Sequence, residues 1–286
     1  MTDKSTEFHQ KMTLNAGGTI LDLSTPVVMG ILNLTPDSFY DGGRNNTAAL
    51  AIERAGQMLA DGAAILDLGA YSSRPGAADI STGEEILRLL PVLRALVKAY
   101  PRAIISVDTF RSEVAQAAIG EGAHIINDIS GGSLDPQLFE TVARLKVPYV
   151  LMHMKGTPQN MVQHAHYHDL FDEIFTCFTE RLFQLGELGV TDILIDPGFG
   201  FAKTPEQSYR LLSMLEQFKA FGHPVLAGLS RKSMIYKKLG VTAAEALNGT
   251  TVLNTIALQK GANILRVHDV KEAAEAIKLV SLTFNV

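Results

Sequence analysis

The residues best equipped for chemistry stand where short apolar runs end. Asp196 closes the run 193–195 and is followed by Pro197-Gly198-Phe199-Gly200-Phe201-Ala202-Lys203. A buried strand that stops at a carboxylate and breaks into a Gly/Pro turn delivers charge to a site. The glycines let backbone approach a flat ligand, and phenylalanine rings can cover one. Taken alone, the stretch reads as plainly as a capping aspartate before an ordinary turn. The pattern recurs, however. Asn33, Asp67, Asp108, Asn127, His153, Asp196, Ser230 with Lys232, and Arg266 with His268 all end such runs. Helix capping is the structural alternative for some of them, Asp67 and Asp128 included.

Several of these ends carry recognisable chemistry. After Asn33 a segment of Thr, Pro, Asp, Ser, Phe and Gly, 35–43, has the composition of a lid or of a plain surface loop. Gly69-Ala70-Tyr71-Ser72-Ser73-Arg74-Pro75-Gly76 collects hydroxyl, guanidinium and backbone donors suited to phosphate. Asp108 and Asn127 pair an acid with an amide, a combination that reads a flat heterocycle with mixed donors and acceptors. With Asp67 and Asp128 nearby, the carboxylates also raise a Mg2+ cage. His164, His166 and His168 alternate and invite a zinc site, or form a solvated loop, since no Cys or Glu stands at ligand spacing. Ser230-Arg231-Lys232-Ser233 and Arg266-Val267-His268 put cations at one end of the chain's repeating unit.

The elements that must position these groups follow from periodicity. From Val27 onward, strand-length apolar runs at 27–33, 64–68, 103–108, 123–127, 147–153, 192–196, 224–228 and 263–267 alternate with helical patterns. The helices are expected over 47–60, 83–99, 112–121, 170–188, 205–220, 243–260 and 270–282, with only a short candidate in the fourth unit. Eight such units predict a (β/α)8 TIM barrel, in which every strand end faces one mouth. Ahead of them, two apolar stretches flank Asn15-Ala16-Gly17-Gly18, the signal of an N-terminal β-hairpin that would cover the barrel floor. No linker composition divides residues 1–286, so one domain is expected.

Composition narrows the function classes. The formal net charge of -5 gives no general affinity for nucleic acid or an anionic membrane, so any anion site is local. A single cysteine, Cys177, rules out an internal disulfide and suits a reducing compartment. Its helical, apolar setting reads as packing. No leader-like apolar stretch or membrane-span run is visible, and a cytoplasmic protein is expected.

Seven motifs in one order, within 29–43, 106–111, 125–132, 151–160, 196–203, 229–233 and 266–269, make the chain resemble the dihydropteroate synthase family over nearly its whole length. One departure stands at Ser73, where the family usually carries Thr. The resemblance implies condensation of 6-hydroxymethyl-7,8-dihydropterin pyrophosphate with 4-aminobenzoate, the reaction that sulfonamides target. It implies Asp108, Asn127, Asp196 and Lys232 on the pterin, with Met152 and Gly228 lining its pocket. Arg266 would stack on the ring and, with His268, Asn33 and Arg74, hold pyrophosphate, Mg2+ bridging to Asn33. Aminobenzoate would sit between Phe39, Pro75 and Phe201, near Ser73, Arg74, Lys232 and Ser233. Asp108, Lys232 and Arg266 are the implied catalytic residues, and a homodimer is implied. A methyltetrahydrofolate-dependent methyltransferase and a non-catalytic pterin-binding paralogue are the alternatives. The methyltransferase would share Asp108, Asn127 and Asp196 but would not need the 35–43 segment or Ser230-Arg231-Lys232, and the presence of Asn33, Arg74, Lys232, Arg266 and His268 argues against the paralogue.

Overall fold

The structure, a computed structural model, describes residues 11–34, 44–74 and 78–284. Its first element is the expected hairpin, β1 (Thr13–Ala16) paired antiparallel with β2 (Thr19–Asp22). Gly17 and Gly18 turn the chain with φ of 62° and 91°. Positive φ at both central residues matches the twist of the two strands, and glycine adopts it without steric cost.

The rest is a succession of parallel strands and outer helices. In chain order these are β3 (Val27–Asn33), α1 (Arg44–Ala60), β4 (Ala63–Gly69), α2 (Thr82–Ala99), β5 (Ile104–Asp108) and α3 (Ser112–Gly120). Then come β6 (Ile125–Asp128), α4 (Leu138–Leu145), β7 (Tyr149–Met152), α5 (Leu170–Glu187), β8 (Ile193–Asp196) and α6 (Pro205–Ser213). The chain ends with β9 (Leu226–Ala227), α7 (Ser233–Leu239), α8 (Leu247–Gln259), β10 (Ile264–Val267) and α9 (Val270–Phe284). The strands pair in the order β8-β7-β6-β5-β4-β3-β10-β9, every pair parallel. A parallel bridge between Ile195 and Val225 brings the two edges together, so the sheet closes as a barrel.

Closure explains the residue types. Alternate side chains of a strand share one face, so each strand sends every second residue into the barrel. The lowest inward position is aliphatic or Met in all eight strands: Met29, Ile65, Ile104, Ile125, Val150, Leu194, Leu226 and Ile264. Leu14 and Ala16 of β1, with Leu23, pack into this same cluster. The hairpin therefore floors the barrel, as its sequence position suggests. Two residues further along each strand stand Ile31, Asp67, Ser106, Asn127, Met152, Asp196, Gly228 and Arg266. The interior thus changes from hydrocarbon to mainly polar in a single step. The opposite strand faces, such as Leu66, Leu68, Ile105 and Val107, pack against apolar stripes of the helices, including Leu89, Leu93 and Leu96 of α2.

Three local features differ from the periodicity. The seventh unit holds two helices rather than one; α7 spans only seven residues before the left-handed Gly240 (φ 68°), too short to display a helical period. The pattern at 205–220 splits into α6 and a 3-10 turn, Leu215–Phe221, ending at left-handed Gly222. Asp67 and Asp128 do not cap helices: the cap of α2 is Ser81, and α4 begins after Gln137. No helix of the described residues is long and apolar enough to cross a membrane.

Because Leu14 is fully buried against inward residues of the strands, Leu14→Ala is expected to cost about 2–4 kcal/mol of unfolding free energy. Denaturant titration showing a loss below about 1 kcal/mol would mean that the hairpin does not seal the floor.

Candidate active site

Arg266, two residues above the floor position of β10, reaches across to two acids. Its Nε and Nη2 each lie 2.6 Å from Asp67 Oδ2, and its Nη2 donates to Asp108 Oδ2 at 2.6 Å. Asn127 Nδ2 donates to the same Asp67 oxygen at 3.0 Å. Four strands, β10, β4, β5 and β6, therefore meet in one hydrogen-bonded cluster. Since a carboxylate accepts only, Asn127 must turn its NH2 toward Asp67 and keep its carbonyl for the cavity. Asp67 Oδ1 and Ser106 Oγ, on register-paired residues, are buried without a partner among the described residues. The edge-on bonds engage Nε and Nη2 of Arg266 and leave the guanidinium plane suited to stacking.

A second cluster lies on β8 and β9. Asp196 Oδ1 accepts from Gly198 N at 2.8 Å. A Cβ on Gly228 would lie 3.8 Å from both Asp196 Oδ2 and Lys232 Nζ, so glycine leaves a slot beside the acid and the amine. Lys232 donates to the carbonyl of Phe199 and sits 4.8 Å from the centroid of the Phe201 ring. Asn33 Oδ1 lies on the other side, 3.6 Å from where a Gly69 Cβ would be and next to Asp108. Met152 packs against the Gly198 turn.

Burial and neighbours set the charges. Burial lifts Asp108 to about 7, against the pull of Arg266 and with the push of Asp67. Burial also raises Asp196, opposed by Lys232, and lowers Lys232 to about 8, opposed by Asp196. Burial works to lower Arg266, yet Asp67 and Asp108 hold it above its ordinary value. His268 is lowered to about 4 by burial and then by Arg266, and its Nδ1 pairs with Ser230 Oγ at 3.1 Å. At neutral pH it therefore offers an N–H donor rather than a positive charge.

Thus Asp108, Asn127, Asp196, Gly228, Lys232, Arg266, Phe201 and Met152 gather in or just above the polar step. Ser73 is half-buried, and Arg74 and Ser233 are exposed at the rim. Phe39, Pro75 and the 35–43 segment lie outside the described residues. Arg231 does not join the cationic face: its Nε and Nη2 grip Asp269 at 2.9 and 2.7 Å, tying the loops after β9 and β10 together. Asp128 is committed to the Ser130 and Gly132 amides and the Tyr149 hydroxyl. No metal-holding cluster of His, Cys, Asp and Glu exists among the described residues, so the histidine run at 164–168 forms no zinc site there. The sequence reading missed Asp67 as the partner of Arg266, because pairing across 199 residues leaves no local signal. It also missed Tyr71, which donates to Asp79 (3.0 Å), accepts from Gln159 (2.6 Å) and meets Phe110 edge-on.

Comparisons with known proteins agree with this geometry. A family model described as pterin binding enzyme matches residues 29–268. The dihydropteroate synthase of Escherichia coli (strain K12) is 45% identical over 276 residues, 96% of this chain and 97% of the relative. A Yersinia pestis dihydropteroate synthase in a sulfonamide drug complex superposes with a TM-score of 0.90 at 42% identity, covering 96% and 100% of the two chains. The Xanthomonas albilineans enzyme with 4-aminobenzoic acid also gives 0.90, at 39% identity, with 96% and 99% covered.

The position of His268 gives a test. Its folded pKa near 4 lies below the ordinary 6.5, so the unfolded chain binds more protons between those values. The stability it contributes is present above about 6.5 and lost as pH falls toward 4. Its ring resonance, identified by its absence in His268→Gln, should not titrate between pH 7.5 and 5.5 in the ligand-free protein. A midpoint near 6.5 would contradict the buried, neutral ring.

Proposed function

Because the chain belongs to the dihydropteroate synthase family, we propose that it joins 6-hydroxymethyl-7,8-dihydropterin pyrophosphate to 4-aminobenzoate, releasing pyrophosphate. The observation that carries this reading is the polar step itself. Arg266 is clamped edge-on by Asp67 and Asp108, opposite an Asp196–Lys232 pair beside the Gly228 slot. A pterin's amidine edge presents N–H donors, which suit the free Oδ2 of Asp196. The Asn127 carbonyl and Asp108 would take further ring N–H groups, and Met152 would line the pocket. Arg266 is suited to stack on the ring and reach the phosphates together, which the point charge of a lysine does not do. Pyrophosphate would be held by Arg266, the His268 N–H, Asn33 and Arg74 at the rim.

Aminobenzoate would lie against Phe201, with Phe39 and Pro75, near Ser73, Lys232 and Ser233. The related Xanthomonas structure carries 4-aminobenzoic acid. Mg2+ fits this arrangement as a metal that arrives with its phosphates. Asn33 offers one hard amide oxygen, and Mg2+ keeps several waters and uses few protein ligands in phosphate sites. When bound it would neutralise charge on the departing pyrophosphate. A formal net charge of -5 fits small-molecule substrates and neither nucleic acid nor an anionic membrane. A homodimer belongs to the same reading: Leu239, Val252, Leu279 and Leu282 are exposed on the adjoining helices α7, α8 and α9.

The order of bond events follows from what is available. Donors and cations would surround the leaving group, while no strong base stands ready for a weakly nucleophilic aniline among the described residues. The C–O bond would break first, its electron pair leaving with pyrophosphate. The amine nitrogen would then attack the pterin methylene cation, facing the Asp108 carboxylate, and its proton would pass to the released pyrophosphate. With the bridging oxygen labelled by 18O and no aminobenzoate present, scrambling into non-bridging positions is expected, and slower in Asp108→Asn. Retained label, together with C–O cleavage that tracks the nucleophilicity of substituted anilines, would indicate concerted displacement.

Asp196→Ala and Lys232→Ala should each lower kcat/KM by roughly 100-fold or more, about 2.7 kcal/mol, with the circular dichroism of the barrel retained. Wild-type values in either variant would refute the assignment. Lys232 at about 8 also predicts an alkaline limb in kcat/KM near that pH, as the ammonium deprotonates. Lys232→Arg should push the limb to higher pH. A limb that stays in place would belong to another group.

A further inference from the structure

The 196–203 stretch ends in a lysine that neither substrate reading uses. Lys203 is 7% exposed. Its Nζ lies 3.0 Å from His153 Nδ1, 3.2 Å from His153 O, 3.0 Å from Gly198 O and 3.0 Å from Phe201 O. None of these partners is a carboxylate. A buried amine held only by carbonyls and an imidazole is costly, and burial lowers it to about 7. The contacts join the end of β7 at His153 to the turn after β8, a seam where Met152 also packs against Gly198 and the Tyr167 ring meets His153.

That turn needs bracing. Gly198, Gly200 and Ala202 all have positive φ, 71°, 77° and 48°. Glycine tolerates this region, but Ala202 is strained there and must be held by its surroundings. The alternation throws the carbonyls of Gly198 and Phe201 to one side, where Lys203 gathers them. It throws the Phe199 carbonyl to Lys232 and the Phe201 ring to the mouth. The Tyr167 hydroxyl adds one bond, to Ala202 O at 3.0 Å.

We propose that Lys203 is a positioning residue for the aminobenzoate half of the site: by lacing the β7 end to the Gly198–Phe201 turn, it sets the Phe201 wall and the carbonyl that anchors Lys232. It touches neither substrate. The proposal rests on the reading of Phe201 as the aminobenzoate wall. Most of the pterin half is supported separately, because the Asp67–Asp108–Arg266–Asn127 cluster lies on other strands and Asp196 keeps its bond from the Gly198 amide, while Lys232 borders both halves.

The test compares wild type, Lys203→Met, Phe201→Ala and the double variant. Lys203→Met should raise KM for 4-aminobenzoate at least tenfold and KM for the pterin pyrophosphate less than threefold. In the Phe201→Ala background the same change should cost less than a further threefold. Equal rises for both substrates, or multiplicative losses in the double variant, would overturn the proposal. Amide hydrogen exchange without substrates gives a readout independent of turnover. Peptides covering 197–203 should exchange at least tenfold faster in Lys203→Met, while β10 peptides are unchanged. Unchanged exchange at 197–203 would also overturn it. Lys203→Gln, which retains N–H donors at shorter reach, should fall between. If neither variant keeps the barrel's circular dichroism, Lys203 is a folding residue and the proposal fails. Wild-type protein that makes no dihydropteroate would defeat the functional reading alone, since the exchange result stands without it.

Discussion

Everything at the mouth of this barrel is arranged around the double engagement of Arg266 by Asp67 and Asp108. A guanidinium inside a closed sheet must find carboxylates, because leaving a charge buried and unpaired costs more than the fold can spare. The pair comes from neighbouring strands, β4 and β5, while the arginine comes from β10. The curvature of the sheet lets the arginine reach past β3, which lies between β10 and β4. Once Arg266 is held along its edge, its flat face is oriented, Asn127 is turned by its bond to Asp67, and Asp108 is poised near neutrality between charge and protonation.

The barrel geometry keeps this polar step from dissolving the core. Below it lies a floor of eight inward aliphatic or Met side chains, sealed by Leu14 and Ala16 of the hairpin. That floor keeps water out from beneath, so the electrostatics of the step operate in a poorly solvated space. The same burial raises Asp108 and Asp196 and lowers Lys232 and His268. Such perturbed groups in one cleft are the mark of a site that gives up some stability for chemistry.

Two devices then hold the loops. Arg231, a residue with positive φ, binds Asp269 in a two-pronged ion pair and also donates to the Ala243 and Ala244 carbonyls, which joins the β9 and β10 loops behind Lys232 and His268. Lys203 laces the β7 and β8 ends. One basic residue that looks like an anion ligand is a brace, and so is the buried lysine. Arg74 stays exposed at the rim.

The residue order alone carried the fold class, the floor-sealing hairpin and most of the candidate site. Period-two strands and period-3.6 helices are local patterns, and polar strand ends recur at every unit. The family resemblance assigned roles to Asp108, Asn127, Asp196, Lys232 and Arg266 for the same reason: each stands in a contiguous motif. Local patterns said nothing of which strand end faces which. Asp67 read as a possible helix cap, and Arg231 read as one more cation at the strand ends. Only the assembled sheet, with β10 and β4 on either side of β3 and β7 beside β8, brought residue 67 to residue 266 and residue 203 to residue 153. Those contacts depend on the register and curvature of the whole sheet, and a property summed over eight strands leaves no signature in any short stretch of chain.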